Sequence, residues 1–270
     1  MSKLLYEPTH SLIHQSFQAQ ELEEPLNGDG FGTGWYAPDI DPYPAVFVSS
    51  TPAWSNRNLR YLAEKIRSHC LVAHVRAAST GEVSESNCHP FHYQELLMLH
   101  NGDVGNFPRI KRAIRRKLCD EIYDWIKGQT DSEHLFALFL HYVGDTNGLT
   151  PTRVRAALQS TISDIAEMKT RLNIKDAAYL NLVVTNGKFM IAARYVSDPE
   201  EKPATLYFLE SAGLECENGI CKIRPAGRDE KAILIVSEKL AEIEHEWHEV
   251  PANHFVTIDE DLRVELHPIR

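Results

Sequence analysis

Apolar residues recur at helical spacing in the middle of the chain and at strand-like spacing on either side. Leu59, Leu62, Ala63 and Ile66 predict a helix over residues 58–68. Phe107, Ile110, Ile114 and Leu118 predict a second, whose other face carries Lys111, Arg112, Arg115, Arg116 and Lys117. That basic face is either a solvated surface or a site for an anion or partner. Longer helices are expected over 131–143, with Asp131 as N-cap, and over 151–172 after the start signal Thr150-Pro151. Apolar runs at 70–77 and 96–99 read as buried strands. Beyond Ala177 strands are expected at 178–185, 188–196, 204–210, 220–224, 231–236, 254–258 and 262–267, with a turn at Asn186-Gly187. Most are linked by short connections, so the sheets should be antiparallel. Strands on both sides of a helical middle predict an α+β domain of layered sheets covered by helices.

Several polar positions interrupt this pattern. Glycines at 28, 30, 32 and 34 alternate through a strand-like segment and leave one face bare, so that another backbone or a ligand can approach. Thr33 stands where a dinucleotide fingerprint would need its third glycine. Arg76 closes a buried run, which requires either a structural Asp or Glu beside it or a ligand carboxylate. Asn101-Gly102 after the 96–99 strand reads as a hairpin turn, or as an amide and a backbone N–H that could stabilise an oxyanion. The Pro-containing stretches 38–44 and 199–203 read as loops.

At 270 residues the chain is long enough for one large domain, covering 1–270. Its net charge of −10 disfavours a nucleic-acid partner. The longest apolar runs, Leu135–Val143 and Ala232–Val236, fall far short of the roughly 18 residues of a membrane span. With no secretory signal in its opening residues, a cytoplasmic location is expected. Five irregularly spaced cysteines suit reduced, mostly buried thiols. His89-Pro90-Phe91-His92, His245-Glu246-Trp247-His248 and the Cys216/Cys221 pair lack the spacing of known metal motifs, so no metal or other cofactor is expected. No Gly-x-Ser-x-Gly elbow occurs, and Cys88 is not activated merely by having His89 as its chain neighbour.

Six segments in order resemble the class-II glutamine amidotransferases: Asn27-Gly28-Asp29-Gly30-Phe31-Gly32 through Tyr36, Pro52-Ala53-Trp54-Ser55-Asn56, Ala73-His74-Val75-Arg76-Ala77, Asn87-Cys88-His89-Pro90-Phe91, His100-Asn101-Gly102 and Thr130-Asp131-Ser132-Glu133. The chain is most similar to a stand-alone branch of that family, which acts on glutathione and related γ-glutamyl compounds. The resemblance implies the N-terminal-nucleophile hydrolase fold, a four-layer αββα sandwich of antiparallel sheets. It implies that Arg76 grips the α-carboxylate of a small γ-glutamyl substrate, that Asp131 holds the α-amino group, and that Ser79 and Thr80 contact the substrate beside Arg76. Asn101 and Gly102 become the oxyanion hole. The family nucleophile is an N-terminal Cys whose own α-amine is the base, whereas this chain opens Met1-Ser2-Lys3 and aligns after the family's first strand. A metallopeptidase partner subunit or a homo-oligomer is a further expectation of the resemblance.

Overall fold

The computed structural model describes residues 1–21, 25–78, 80–211, 214–217, 220–223, 231–241 and 247–270. In chain order its helices are α1 (Ser2–Leu5), α2 (Leu12–Gln15), α3 (Arg57–Lys65), α4 (Phe107–Arg115), α5 (Asp120–Trp125), α6 (Asp131–Val143) and α7 (Pro151–Arg171). The first seven strands are β1 (Phe31–Ala37), β2 (Asp41–Ser49), β3 (Leu71–Val75), β4 (Phe91–Tyr93), β5 (Leu96–Asp103), β6 (Tyr179–Thr185) and β7 (Met190–Val196). The remaining strands are β8 (Tyr207–Ser211), β9 (Leu214–Glu217), β10 (Ile220–Ile223), β11 (Ala232–Val236), β12 (His248–Glu249), β13 (His254–Ile258) and β14 (Val264–Pro268).

Six strands in the order β14-β13-β7-β6-β5-β4 form the largest sheet, antiparallel throughout. The alternation of side chains along a strand decides what each face meets. Leu96 and Met98 of β5, with Leu180, Leu182 and Val184 of β6, pack against α4, α6 and α7. Helix α6 is buried on nearly every side, consistent with its unbroken apolar run. Leu97 and Leu99 point the other way, toward Tyr36 and Val72 in a second sheet layer. That layer consists of β2-β1-β3 and β11-β8-β12. The helices α1, α2 and α3 cover the outside of β1 and β3 through Leu5, Leu12, Phe31, Leu59 and Val75. The result is helices, two sheet layers and helices, the αββα order that the resemblance implies.

Gly32 and Gly34 explain how closely the two sheet layers approach. A Cβ on Gly34 would lie 2.7 Å from Leu97 Cδ1, and one on Gly32 would fall on the carbonyl oxygen of His89. The bare face of the glycine stripe therefore receives another part of the chain.

Four sequence expectations change. Asn101-Gly102 is not a turn: β5 continues to Asp103, with Asn101 opposite Asn181 and Gly102 opposite Leu180. The chain bends after it, where Gly105 and Asn106 have φ of 67° and 52°. The stretch 38–44 contains the start of strand β2 instead of being loop throughout; Pro42 and Pro44 are tolerated because β2 is a sheet edge. Thr130, not Asp131, caps α6, its hydroxyl accepting the Glu133 N–H at 3.1 Å. Among the described thiols Cys88 is buried, but Cys70 is only half-buried and Cys119 is exposed; the side chains of Cys216 and Cys221 lie outside the description. Ser79, Glu246 and His245 lie outside the described residues.

Candidate functional site

Strands β1 and β3 pair from Trp35–Leu71 to Phe31–Val75, and Arg76 continues the pairing by donating its N–H to the Gly30 carbonyl at 2.9 Å. This fixes the backbone from which the arginine side chain turns inward, leaving it only 4% exposed. Its guanidinium donates to three carbonyls: Thr80 at 2.8 Å, and Asp29 and Glu82 at 3.4 Å each. No Asp or Glu forms an ion pair with it among the described residues. The nearby Asp29 carboxylate instead accepts the Ala78 N–H at 2.8 Å. A buried cation held only by neutral carbonyls is an incomplete arrangement, because burial in a low-dielectric site favours a hydrogen-bonded counter-charge.

A chain of hydrogen bonds ties the Arg76 loop to the start of α6. The Glu82 carbonyl accepts from both Arg76 and the Asn87 side chain, and Asn87 Oδ1 accepts the Gln129 N–H at 2.8 Å. Two residues on, Asp131 is 3% exposed. Its Oδ2 accepts the Val104 N–H at 3.1 Å, and its Oδ1 accepts the Ser132 N–H at 2.8 Å. Ser132 Oγ also lies 2.9 Å from His100 Nδ1, so α6 is bonded to the strand that carries Asn101. Lys169 braces the same bend from behind, donating to the Val104 and Gly105 carbonyls at 2.9 and 3.3 Å. Burial and the neighbouring Asp131 charge push the Asp103 carboxyl above its usual range, against the opposing Gly105 N–H.

Because Asn101 shares the inward face of β5 with Leu97 and Leu99, it opens between the sheet layers. It lines a cavity of about 100 Å³ with His74 and Val75 of β3, Gln15, Thr205 and Glu238. Its side-chain amide makes no hydrogen bond among the described residues. Its cross-strand neighbour Asn181, by contrast, donates to the Thr205 carbonyl at 2.8 Å. Gly102 is required for a separate reason: its φ is 147°, and a Cβ there would strike the Tyr179 carbonyl.

His74 and His89 pack against each other beside this cavity, their rings tilted by 43° with centroids 4.3 Å apart. His74 Nδ1 and both His89 ring nitrogens are buried without a hydrogen-bond partner. Burial foremost, then the positive character of His100 and Arg76, lowers His74 to about 4. Burial and His74 hold His89 well below its usual value, so both rings are neutral near pH 7.

The structure thus joins Arg76 to Thr80 directly and to the start of α6 through Glu82, Asn87 and Gln129. It joins Asn101 and Gly102 to Asp131 through His100, Ser132 and Val104. It does not bring Arg76, Asn101 and Asp131 into contact with one another. Thr80 contributes a carbonyl, not its hydroxyl, to the Arg76 contact. Of the bracing residues, His100 and Ser132 lie within the family-like segments but carried no role there, and Asn181 and Lys169 were not singled out from the sequence.

No described thiol lines the Asn101 cavity. Cys70 Sγ lies 3.6 Å from Thr185 Oγ1, four positions along β6 from Asn181. Cys88 Sγ faces the Ser49 and Ser84 carbonyls at 3.5 and 3.4 Å, and burial raises its pKa despite the opposing charge of Arg76. Ser2 sits on α1, where its hydroxyl donates to Glu7 at 3.3 Å.

The sequence profile of the class-II glutamine amidotransferases matches residues 4–265. The chain belongs to that family. It is 38% identical over 290 residues to "Probable glutamine amidotransferase DUG3" of Saccharomyces cerevisiae, the alignment spanning 100% of this chain and 80% of the yeast protein. It is 30% identical over 148 residues to "Gamma-glutamyl-hercynylcysteine sulfoxide hydrolase" of Mycobacterium tuberculosis, covering 54% of this chain and 59% of the relative. A glutamine aminotransferase class-II domain protein from Silicibacter pomeroyi superposes with a TM-score of 0.67 at 26% identity, over 90% of this chain and 92% of the other. Family membership and the αββα architecture therefore agree. No helix among the described residues is long and apolar enough to cross a membrane.

Proposed function

We propose that the family site of this chain binds a γ-glutamyl compound and serves its hydrolysis, with glutathione the favoured substrate class. The observation that carries the reading is Arg76, buried to 4% exposure with no carboxylate partner among the described residues. A substrate α-carboxylate would complete it with two parallel hydrogen bonds, a geometry suited to the guanidinium fork. Asp131 supplies the opposite charge for the α-ammonium of the same zwitterion, and Ser79 and Thr80 would border the head group. The amide of Asn101, which has no hydrogen bond among the described residues, and the N–H of Gly102 would receive the oxyanion formed when the γ-carbonyl is attacked.

In the family chemistry a cysteine thiol attacks the γ-carbonyl carbon, and its proton passes through the α-amine to the departing amine. Water then cleaves the thioester and releases glutamate. None of the three described thiols, Cys70, Cys88 and Cys119, lines the Asn101 cavity where the first step would take place. The yeast relative and the mycobacterial hydrolase support a γ-glutamyl substrate, and a metallopeptidase subunit is the partner class that fits peptide turnover.

The test supplies the chain with an N-terminal strand that begins with Cys after Met removal. Glutamate release from glutathione and from glutamine is followed, with the 270-residue chain as the control. The reading predicts turnover only in the extended protein, with glutathione preferred. A folded, extended protein that neither turns over nor binds any γ-glutamyl compound would refute it. Binding without turnover would make the chain a γ-glutamyl-binding or scaffolding subunit instead.

A further inference from the structure

Helix α4 carries positive charge that the family chemistry does not use. Lys111, Arg112, Arg115 and Arg116 occupy positions i, i+1, i+4 and i+5, so they form one broad face two turns long. Two of the pairs, Lys111 with Arg115 and Arg112 with Arg116, are like charges at a spacing that destabilises a helix. With Pro108 and Tyr123 these residues line a surface groove of about 390 Å³, larger than the cavity at Asn101.

The groove has positioned walls. Arg115 Nε donates to His134 Nε2 at 2.9 Å, and the guanidinium lies 5.5 Å from the Tyr123 ring centre. His134 can accept because its other nitrogen faces the Thr130 carbonyl at 2.7 Å, which fixes the proton there. Tyr123 remains 45% exposed, offering an aromatic surface beside the cations.

Compensating carboxylates are scarce. Among the described ion pairs only Lys117 of this basic stretch meets an acid, Asp164 at 2.6 Å. Glu133 lies near Lys111 and Arg115, but its oxygens already accept the N–H groups of Lys127 and Gly128. Burial and the charge of Arg115 lower the Lys111 pKa, with Glu133 opposing.

We propose that this groove docks an acidic segment of a partner protein. The occupant follows from charge and size. A chain of net charge −10 repels both a long phosphate backbone and a second copy of itself, yet this face is locally cationic. The nine residues of α4 extend about 14 Å, which matches about four residues of extended peptide and is short for a nucleic-acid track. Four cations spread over two turns suit several carboxylates in series better than one small anion.

The experiment uses the full chain and a fluorescein-labelled octapeptide rich in Asp and Glu, followed by fluorescence anisotropy. A peptide with Asn and Gln in place of the acids is the neutral comparison. Arg112→Glu/Arg116→Glu is the groove variant, and Lys65→Glu/Arg67→Glu produces the same change in total charge elsewhere. All four positions are exposed, and circular dichroism confirms the fold of each variant.

Binding of the acidic peptide should weaken at least about tenfold in the groove variant and with rising salt, and remain near the parent value in the control variant. Equal weakening in both variants, no binding to the parent, or equal binding of the neutral peptide would overturn the proposal. An oligonucleotide of equal charge that binds the groove more tightly would replace it with a nucleic-acid site. A dimer lost only in the groove variant on sedimentation would replace it with self-association. Because the groove residues are separate from Arg76 and Asn101, γ-glutamyl turnover in the extended protein should be unchanged.

Discussion

Replacing Asn101 by Ala separates a catalytic amide from a structural one. The Asn101 side chain makes no hydrogen bond among the described residues, and its backbone is a regular part of β5 without positive φ. Truncation therefore removes no such bond and introduces no strain, so stability should change by less than about 0.5 kcal/mol, the range of substitutions outside packed or bonded features. For a chain of this size that is a shift in Tm of roughly 2 °C at most. Asn181→Ala is the contrast: it deletes the bond to the Thr205 carbonyl and should cost about 1 kcal/mol.

In the extended protein with the added N-terminal Cys strand, the kinetic effect of Asn101→Ala should be large. Loss of one oxyanion donor lowers kcat by about 10²–10³-fold, while the KM for the γ-glutamyl substrate stays close to the parent value. Glutamate release under saturating substrate measures the first quantity, and differential scanning calorimetry measures the stability. A drop of several degrees in Tm with kcat intact would refute the oxyanion role and make Asn101 a structural residue of β5. Full activity in Asn101→Gly would refute it equally.

Stability should also fall on mild acidification. His74 and His134 have folded values of about 4 against an ordinary 6.5, so between those pH values the unfolded chain binds protons that the folded chain refuses. Stability is therefore on its plateau above pH 6.5 and declines as pH falls toward 4, by about 3 kcal/mol from His74 alone at about 1.4 kcal/mol per pKa unit. Urea midpoints at pH 7.5 and 5 test this, and equal midpoints would show that the buried rings acquire protons without penalty. Gly32→Ala should cost about 1–3 kcal/mol or more, since its Cβ meets the His89 carbonyl and lies 2.7 Å from Val48 Cγ1. An unchanged thermal midpoint would mean that the two sheet layers can separate there without cost.

Periodicity made the helical middle legible because α6 and α7 carry strong apolar patterns and α7 follows Thr150-Pro151. The alternating glycines also announced a close approach. What periodicity alone could not decide was the meaning of Asn101-Gly102: the same dipeptide forms the turn at Asn186-Gly187 but lies inside a strand ladder in β5. Only the register with β6 distinguishes them. Strand β2 was hidden by Pro42 and Pro44, which are compatible with a strand because the edge position leaves N–H groups without a partner. The ordered motifs marked Arg76, Asn101 and Asp131, but not how they are held. His100–Ser132 and Asn87–Gln129 are tertiary contacts across 32 and 42 residues, and no local pattern encodes them. That Arg76 forms no ion pair with an Asp or Glu among the described residues was equally invisible, since it depends on where those carboxylates fold.

The central claim is that Arg76 is held ready for a ligand carboxylate. Its most direct measurement is the KM for a γ-glutamyl substrate in the extended protein and in its Arg76→Lys variant, with circular dichroism confirming the fold. A point ammonium cannot reproduce the two parallel hydrogen bonds of the guanidinium, so binding should weaken by about 2–5 kcal/mol, at least a factor of about thirty in KM. A folded Lys variant with unchanged KM and kcat would contradict the account and return Arg76 to a purely structural role between the carbonyls of Asp29, Thr80 and Glu82.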